Sequence, residues 1–218
     1  MSTLPQLFLA LLLAHLLNSR SIKGITLFRI SAIAPNITSL VAVAVIFSSI
    51  FGYNYGLINW ILVQFGFEKF NWSANYWGAQ IAVSVMIIWR WTGYNALIYL
   101  AALQGVPTAL YEAARIDGAS RVRQFIFITI PMIRPVLLFT IIMSTIGGMQ
   151  IFTEPHIFSG PTGGPQSQTL TVVMYLYNQA FVNHSFGYAS AVSWMLFLIV
   201  IAISLINSHM TRKIHSAD

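Results

Sequence analysis

The sequence predicts an all-α, polytopic membrane bundle, and three observations carry that reading. Of 218 residues, 57% are hydrophobic and only 7% are charged, where a soluble domain carries about a quarter charged residues. Apolar runs of spanning length alternate with short loops. The bases collect in those loops rather than on a face of any run. A net charge of +6 therefore reads as a topology signal and not as a nucleic-acid surface. The chain has no cysteine, which excludes disulfides, thiolate metal sites and thiol catalysis.

A spanning helix needs about 20 predominantly apolar residues. The expected spans, about five in all, are Leu4–Leu17 (short), Phe28–Phe51, Trp77–Leu103 (interrupted by Arg90), Met132–Phe152 and Tyr188–Ile206. Thr169–Phe181 is apolar but shorter. Its Leu170, Val173, Met174, Tyr177 and Phe181 fall on one side at helical spacing, which predicts an amphipathic helix at the interface. Gly52 and Gly56 break the chain after the second run, and Gly160-Pro161-Thr162-Gly163-Gly164-Pro165 predicts a rigid loop without regular structure. No internal repeat is visible. The whole chain, 1–218, reads as one transmembrane domain with a charged loop at 104–131 and an opposite, external segment at 154–186.

Orientation follows from the bases. Five spans put Arg20, Lys23, Arg29, Arg115, Arg121, Arg123, Arg134, Arg212 and Lys213 on one side, against Lys69 alone on the other. The 104–131 loop and the C-terminus are expected to be cytoplasmic. The same topology puts Met1 outside with no basic stretch before it, which suits a missing upstream helix better than a signal peptide.

The charged loop is the most specific feature. Pro107 suits the first turn of a short helix running to Asp117. Leu110, Ala113 and Ala114 share one face of it, and the adjacent alanines allow another backbone to come close. Glu112, one step off that face, can offer a carboxylate to a base on another protein. Gly118 stands where a helix ends in a left-handed residue, and Ser120 can N-cap a second helix leading into the membrane. Taken singly, these are the marks of an ordinary capped loop. Jointly, Glu112-Ala113-Ala114, three residues, Gly118, nine residues, then Ile128-Thr129-Ile130-Pro131 resembles the EAA signature of permease subunits of bacterial ATP-binding-cassette (ABC) importers, with Ile130 in place of a leucine. The string from Tyr111 to Ser120 is similar to the sugar-permease branch. The similarity also covers Trp89 to Gln104 and the outer segment Gly160 to Phe181, and that outer segment resembles the larger subunit of maltose-type transporters.

That resemblance implies a MetI-like ABC importer permease fold, usually of six or more spans, and a bacterial inner-membrane protein. It implies a coupling helix seated on an ATPase subunit through Glu112, Ala113, Ala114, Asp117 and Gly118. The chain has no G-x-x-x-x-G-K-[ST] string, so it is not expected to be an enzyme or to bind a cofactor. ATP and magnesium would sit on an ATP-binding subunit dimer. The other implied partners are a second permease subunit, an extracytoplasmic solute-binding protein, a di- or oligosaccharide, and lipid. Counted from the EAA glutamate, ligand-lining positions of the maltose-type relative fall on Ile87, Arg90, Trp91, Tyr94, Ser144, Gly147, Gly148 and Ile151; Tyr94 and Ser144 keep the relative's residue type.

The residues themselves leave some of this open. An arginine in mid-span costs about 2.5–3.5 kcal/mol on insertion scales. Arg90, between Trp89 and Trp91, is expected to face the bundle interior. It is either a donor on a polar path or a structural group held by neighbouring carbonyls. Ser144, Gly147, Gly148 and Ile151 form a stripe whose glycines serve packing or open space for a ligand. Gln150 and Glu154 lie near the outer mouth, and Glu154 is expected to be a solvated loop acid. The five histidines are scattered, with no ligand spacing. A stand-alone ion-coupled carrier or a permease for a non-sugar solute are the competing functions. The carrier would be expected to hold acids deep in a span, and none is found. A membrane enzyme would need a catalytic cluster, and none is seen.

Overall fold

The computed structural model describes residues 1–18 and 24–215, with side chains through residue 206. The expected bases Arg20 and Lys23 lie outside the described residues, and nothing is said of the side chains of Arg212 and Lys213. All regular elements among the described residues are helices: α1 (Thr3–Leu17), α2 (Ile25–Ile37), α3 (Leu40–Ile50), α4 (Leu57–Gln64), α5 (Tyr76–Gln104), α6 (Thr108–Ile116), α7 (Arg121–Gln124), α8 (Ile130–Met149), α9 (Thr153–Ser159), α10 (Val172–Tyr177) and α11 (Phe186–His215). A π-helical turn, Phe125–Thr129, joins α7 to α8, and a second, Asn178–Val182, extends α10.

The central element is α5. Its 29 residues reach about 43 Å at 1.5 Å per residue, longer than the ~30 Å hydrocarbon core. Asn75 starts it by accepting the Gly78 N–H at 3.0 Å, and Gly105 and Pro107 follow its end. It packs against α1, α2, α3, α8 and α9. Leu7, Ala10, Ala14 and Leu17 of α1 recur at three- and four-residue spacing and are buried with Ala96, Tyr99, Leu100 and Leu103 of α5. Ala10, Ala14 and Ala96 have no exposed surface; such small residues let helix backbones come close in lipid, where dispersion replaces hydrophobic drive. The Tyr99 hydroxyl meets Thr140 Oγ1 at 2.6 Å, and Thr140 donates onward to the Leu137 carbonyl at 2.9 Å. Tyr99 is therefore the donor in the pair that ties α5 to α8.

The expected span Phe28–Phe51 is not one helix. It is α2 and α3, bent by 95°. Pro35 lies inside α2 and supplies no N–H. Three residues on, Thr38 turns extended (φ −67°, ψ 147°), and both its N–H and its hydroxyl donate to the Ala34 carbonyl, at 3.1 and 2.8 Å. The Ala34 carbonyl thus keeps its helical partner and gains a second donor at the break. The fourth span is also displaced. Its continuous helix runs from Arg121 through the π turn to Met149, and the wide turn sits immediately before Pro131, whose ring needs room against the preceding turn. By length and composition three helices can cross a membrane, and the broken pair makes a fourth. α1, with 15 residues, is shorter than a straight crossing at 1.5 Å per residue. In α11, 6% of the apolar window is buried within the chain, so this helix faces lipid or another subunit.

Two elements on the α4 side of the fold differ from expectation. α4 was not anticipated. It is held by Asn59, 1% exposed, which donates to the carbonyls of Gly52, Tyr53 and Phe70 and accepts the Phe70 N–H. The expected helix Thr169–Phe181 starts only at Val172, capped by Thr171, and loses α-helical pitch at Asn178. Of the expected apolar stripe Met174 is buried, whereas Tyr177 and Phe181 are 38% and 61% exposed; Phe181 lies against Tyr177 and Phe186. The Gly160–Pro165 loop has no regular structure, as expected, and is anchored by Asn178 donating to the Pro161 carbonyl at 2.7 Å and Gln168 donating to the Ser73 carbonyl at 2.7 Å.

One glycine marks the closest approach. A methyl group at Gly93 of α5 would overlap the backbone carbonyl of Ala32 in α2, whereas one at Gly147 of α8 would meet nothing within 4 Å. Gly93→Ala is expected to destabilise the chain by about 1–3 kcal/mol, the range for overpacking, while Gly147→Ala leaves stability unchanged. Thermal unfolding midpoints of the two variants in one detergent test the contrast.

Candidate functional site: a cavity beside an exposed lever

α6 is the short helix expected within the charged 104–131 loop, and its left-handed end and the Ser120 cap form as predicted. Pro107 precedes the helix and Asp117 follows it. Gly118 has φ +74°. Its N–H donates to the Arg115 carbonyl at 3.1 Å, and the Ala119 N–H donates to the Ala114 carbonyl at 2.8 Å. This is a Schellman ending, in which the left-handed residue lets two orphan carbonyls be satisfied. Ser120 accepts the Arg123 N–H at 3.3 Å and starts α7.

No residue of α6 is buried. Glu112, Ala113, Asp117 and Gly118 are exposed, Ala114 is half-buried, and Ile116 is 87% exposed. The expected face of Leu110, Ala113 and Ala114 is thus split: Ala114 turns toward the body, while Leu110 and Ala113 turn outward. The side that faces the body is read from Tyr111, which sequence reasoning did not single out as an anchor. Its hydroxyl meets Thr129 Oγ1 at 2.9 Å, and its ring packs on the α1–α5 core. Gln124, buried, donates to the Ala119 carbonyl at 2.9 Å. These two bonds tie the exposed helix to the base of the α7–α8 span. An apolar, acid-marked surface thereby stands on a rigid footing.

A cavity of about 300 Å³ lies between α1, α5 and α8. Of the positions singled out beforehand, Ile87, Trp91, Tyr94, Ser144, Gly147, Gly148 and Ile151 all line it. The two glycines contribute differently. Gly147 faces open space, and a methyl at Gly148 would lie 3.5 Å from Thr3 Oγ1. Gly147 therefore makes room rather than a helix contact. Trp91 and Tyr94 meet edge to face at 5.7 Å and present a ring wall. Sequence reasoning missed the contribution of α1, whose Thr3 and Gln6 complete the lining; the signal was a buried glutamine at the head of a greasy segment. No aspartate, glutamate, lysine, arginine or histidine side chain lines it. The surface offers hydroxyls, amides and aromatic faces, which suits a neutral polar ligand. A second cavity of about 390 Å³ adjoins it at Thr3, Ile87, Gly148 and Ile151 and opens past Gln80, Ser84 and Thr171.

Arg90 departs from expectation. It does not line the cavity. Its guanidinium turns to Glu154 of α9 at 3.7 Å, with the two side chains 17% and 6% exposed. Glu154 is therefore a buried partner and not a solvated loop acid. An arginine in an apolar span seeks an opposite charge because an unpaired one is too costly there. Among the described residues no group of three or more histidines, acids or cysteines is placed to hold a metal ion.

Residues 6–216 match the family described as binding-protein-dependent transport system inner membrane component. The lactose transport system permease protein LacF of Rhizobium radiobacter is 41% identical over 94% of this chain and 70% of its own length. The arabinooligosaccharides transport system permease protein AraP of Halalkalibacterium halodurans is 36% identical over 99% of this chain and 67% of its own. The trehalose/maltose transport system permease protein MalF of Thermococcus litoralis is 33% identical over 91% and 66%. The chain thus spans about two thirds of the length of these relatives. A chain of a bacterial alginate ABC transporter, solved in complex with an alginate pentasaccharide-bound periplasmic protein, superposes with a TM-score of 0.83 at 22% identity, covering 98% of this chain and 74% of that one. The fold is the MetI-like fold of ABC importer permeases, the protein is an integral membrane protein, and the chain belongs to the binding-protein-dependent transport system inner membrane component family.

Proposed function

We propose that the chain is the transmembrane permease subunit of an ATP-driven importer for a neutral di- or oligosaccharide. The observation that carries this reading is the pairing of a cavity with no acidic or basic side chain in its lining and an exposed lever that share one helical span, α7–α8. The names of the relatives support the substrate class: lactose for LacF, arabinooligosaccharides for AraP, trehalose and maltose for MalF. Hydroxyl and amide groups can pair with sugar hydroxyls, while the faces of Trp91 and Tyr94 cover the apolar faces of a pyranose. A charge-free lining avoids the desolvation that a buried ion would cost against a neutral ligand.

Energy enters from a separate ATPase subunit dimer. α6 seats its outward residues, Glu112, Ala113 and Ile116, on that partner, with the Glu112 carboxylate meeting a base. Closure of the dimer moves α6, and the bonds from Tyr111 to Thr129 and from Gln124 to Ala119 carry the motion into α8, which bears Ser144, Gly147 and Gly148. The cavity then faces the far side of the membrane, where an extracytoplasmic solute-binding protein delivers the sugar. A second permease subunit supplies the facing wall, and lipid covers α11. The side with α6 is cytoplasmic in a bacterial inner membrane, because the bases Arg29, Arg115, Arg121, Arg123 and Arg134 flank the spans on that side. This subunit binds no cofactor; ATP and magnesium act on the partner.

Two substitutions test the two halves of the proposal in the assembled transporter. Glu112→Lys reverses the charge at an exposed position, so expression and folding stay normal while uptake is lost; normal uptake would remove the lever from the mechanism. Gly147→Phe fills the cavity from a position with open space. It is expected to abolish sugar uptake while the complex still assembles and hydrolyses ATP, and uptake at the normal rate would show that the sugar takes another route.

A further inference from the structure

We propose that Arg90 and Glu154 form a latch that holds the outer end of the cavity shut by tying α9 to α5. The proposal rests on the importer reading for its direction. The pair joins two elements that must part if the mouth opens. Arg90 stands on α5, next to the cavity-lining Trp91 and one turn beyond Ile87. Glu154 stands in the first turn of α9, which packs on α3 and α5. Between α8 and α9 the chain turns a corner at Gln150–Phe152. Ile151 of that corner lines both cavities, and Pro155 of α9 lines the outer one. The position of α9 therefore sets the width of the passage from the outer cavity to the inner.

The quality of the contact is that of a catch and not of a permanent strut. Permanent buried ion pairs hold two parallel hydrogen bonds and satisfy the remaining donors. Here a single N–O contact of 3.7 Å is made, and Arg90 Nε is buried with no partner. The guanidinium carbon lies 5.5 Å from the Trp91 ring centroid, so the cation keeps an attractive aromatic face at hand. The cation thus has a partial substitute when the two separate, and water entering an opened mouth solvates both charges. With the mouth closed and dry, the pair is the better state, because a lone buried charge costs more than the long, single contact. The result is a two-position element, closed in the dry state and open in the wet one.

The absence of cysteine from the sequence allows a direct test in the complete transporter. A single Ser144→Cys reports the cavity through its labelling rate with a membrane-impermeant maleimide applied from either face without nucleotide. Glu154→Gln and Arg90→Gln are each expected to raise outer-face labelling by about tenfold or more, the equivalent of 1.4 kcal/mol, and Arg90→Glu with Glu154→Arg together to return it toward the starting rate. Unchanged labelling in both single variants would overturn the latch. Because a single variant can fail to assemble, Arg90→Cys with Glu154→Cys, joined through two reducible disulfides by a short bis-methanethiosulfonate, gives a second reading. Uptake should stop and return on reduction, and uptake through the cross-linked pair would also overturn the latch. Failure of the importer reading looks different: the unmodified complex would not take up sugar, or labelling would be gained from the α6 face alone.

Discussion

The architecture depends on how closely three backbones approach at α5. Ala10 and Ala14 of α1, Ala96 and Gly93 of α5, and Ala32 of α2 remove side-chain volume where helices meet. In lipid no hydrophobic drive separates one apolar surface from another, so close contact itself supplies the attraction. With α1 and α2 held against α5, the cavity has a fixed floor and one fixed wall. With Tyr99 and Thr140 bonded across to α8, the opposite wall is also set. The remaining helices add to this three-sided core, and α11 stays largely outside it.

Polar groups are spent sparingly, each at a point where the chain must change direction or transmit a position. Asn59 uses both ends of its amide to close the turn around α4. Thr38 satisfies the carbonyl at the α2–α3 break. Thr171 caps α10 and also donates to the Ile151 carbonyl at 2.7 Å, so the loop end and the corner between α8 and α9 move together. Tyr111 and Gln124 do the same at the other end of the molecule, between the exposed α6 and the long span. Side-chain bonds to backbone carbonyls thus do the work that water does in a soluble protein.

The same economy shapes the functional surfaces. The cavity wall is neutral although the chain carries a charged pair within a few residues of it. Arg90 is neutralised by Glu154 rather than offered to the ligand, which leaves a lining suited to uncharged hydroxyl-rich solutes. The exposed α6 keeps its charges because they stand in water. One chain thereby separates an exposed, charged surface from a cavity free of acids and bases.

Much of this was legible in the sequence, because composition and local rules act over short distances. Spanning length, the Pro107-to-Gly118 helix with its left-handed end, the Ser120 cap and the stripe of Ser144, Gly147, Gly148 and Ile151 all follow from spacing and residue type. The stripe's partners on α5 came from resemblance, and the fold brings them to the same cavity. What the sequence could not supply was the meeting of distant segments. A proline and a threonine announce a weak point near residue 38 but not a right-angled break. A polar Gln6 at the head of an apolar run gives no sign that it faces Tyr94. Glu154 looks like any loop acid until α9 folds back over α5 and sets it beside Arg90, 64 residues earlier in the chain. Helix period and capping are properties of neighbours along the chain, so the sequence alone determined them. Which charge is buried, which glycine faces space and which helix carries the other depend on packing across the chain, and only the tertiary structure decided those.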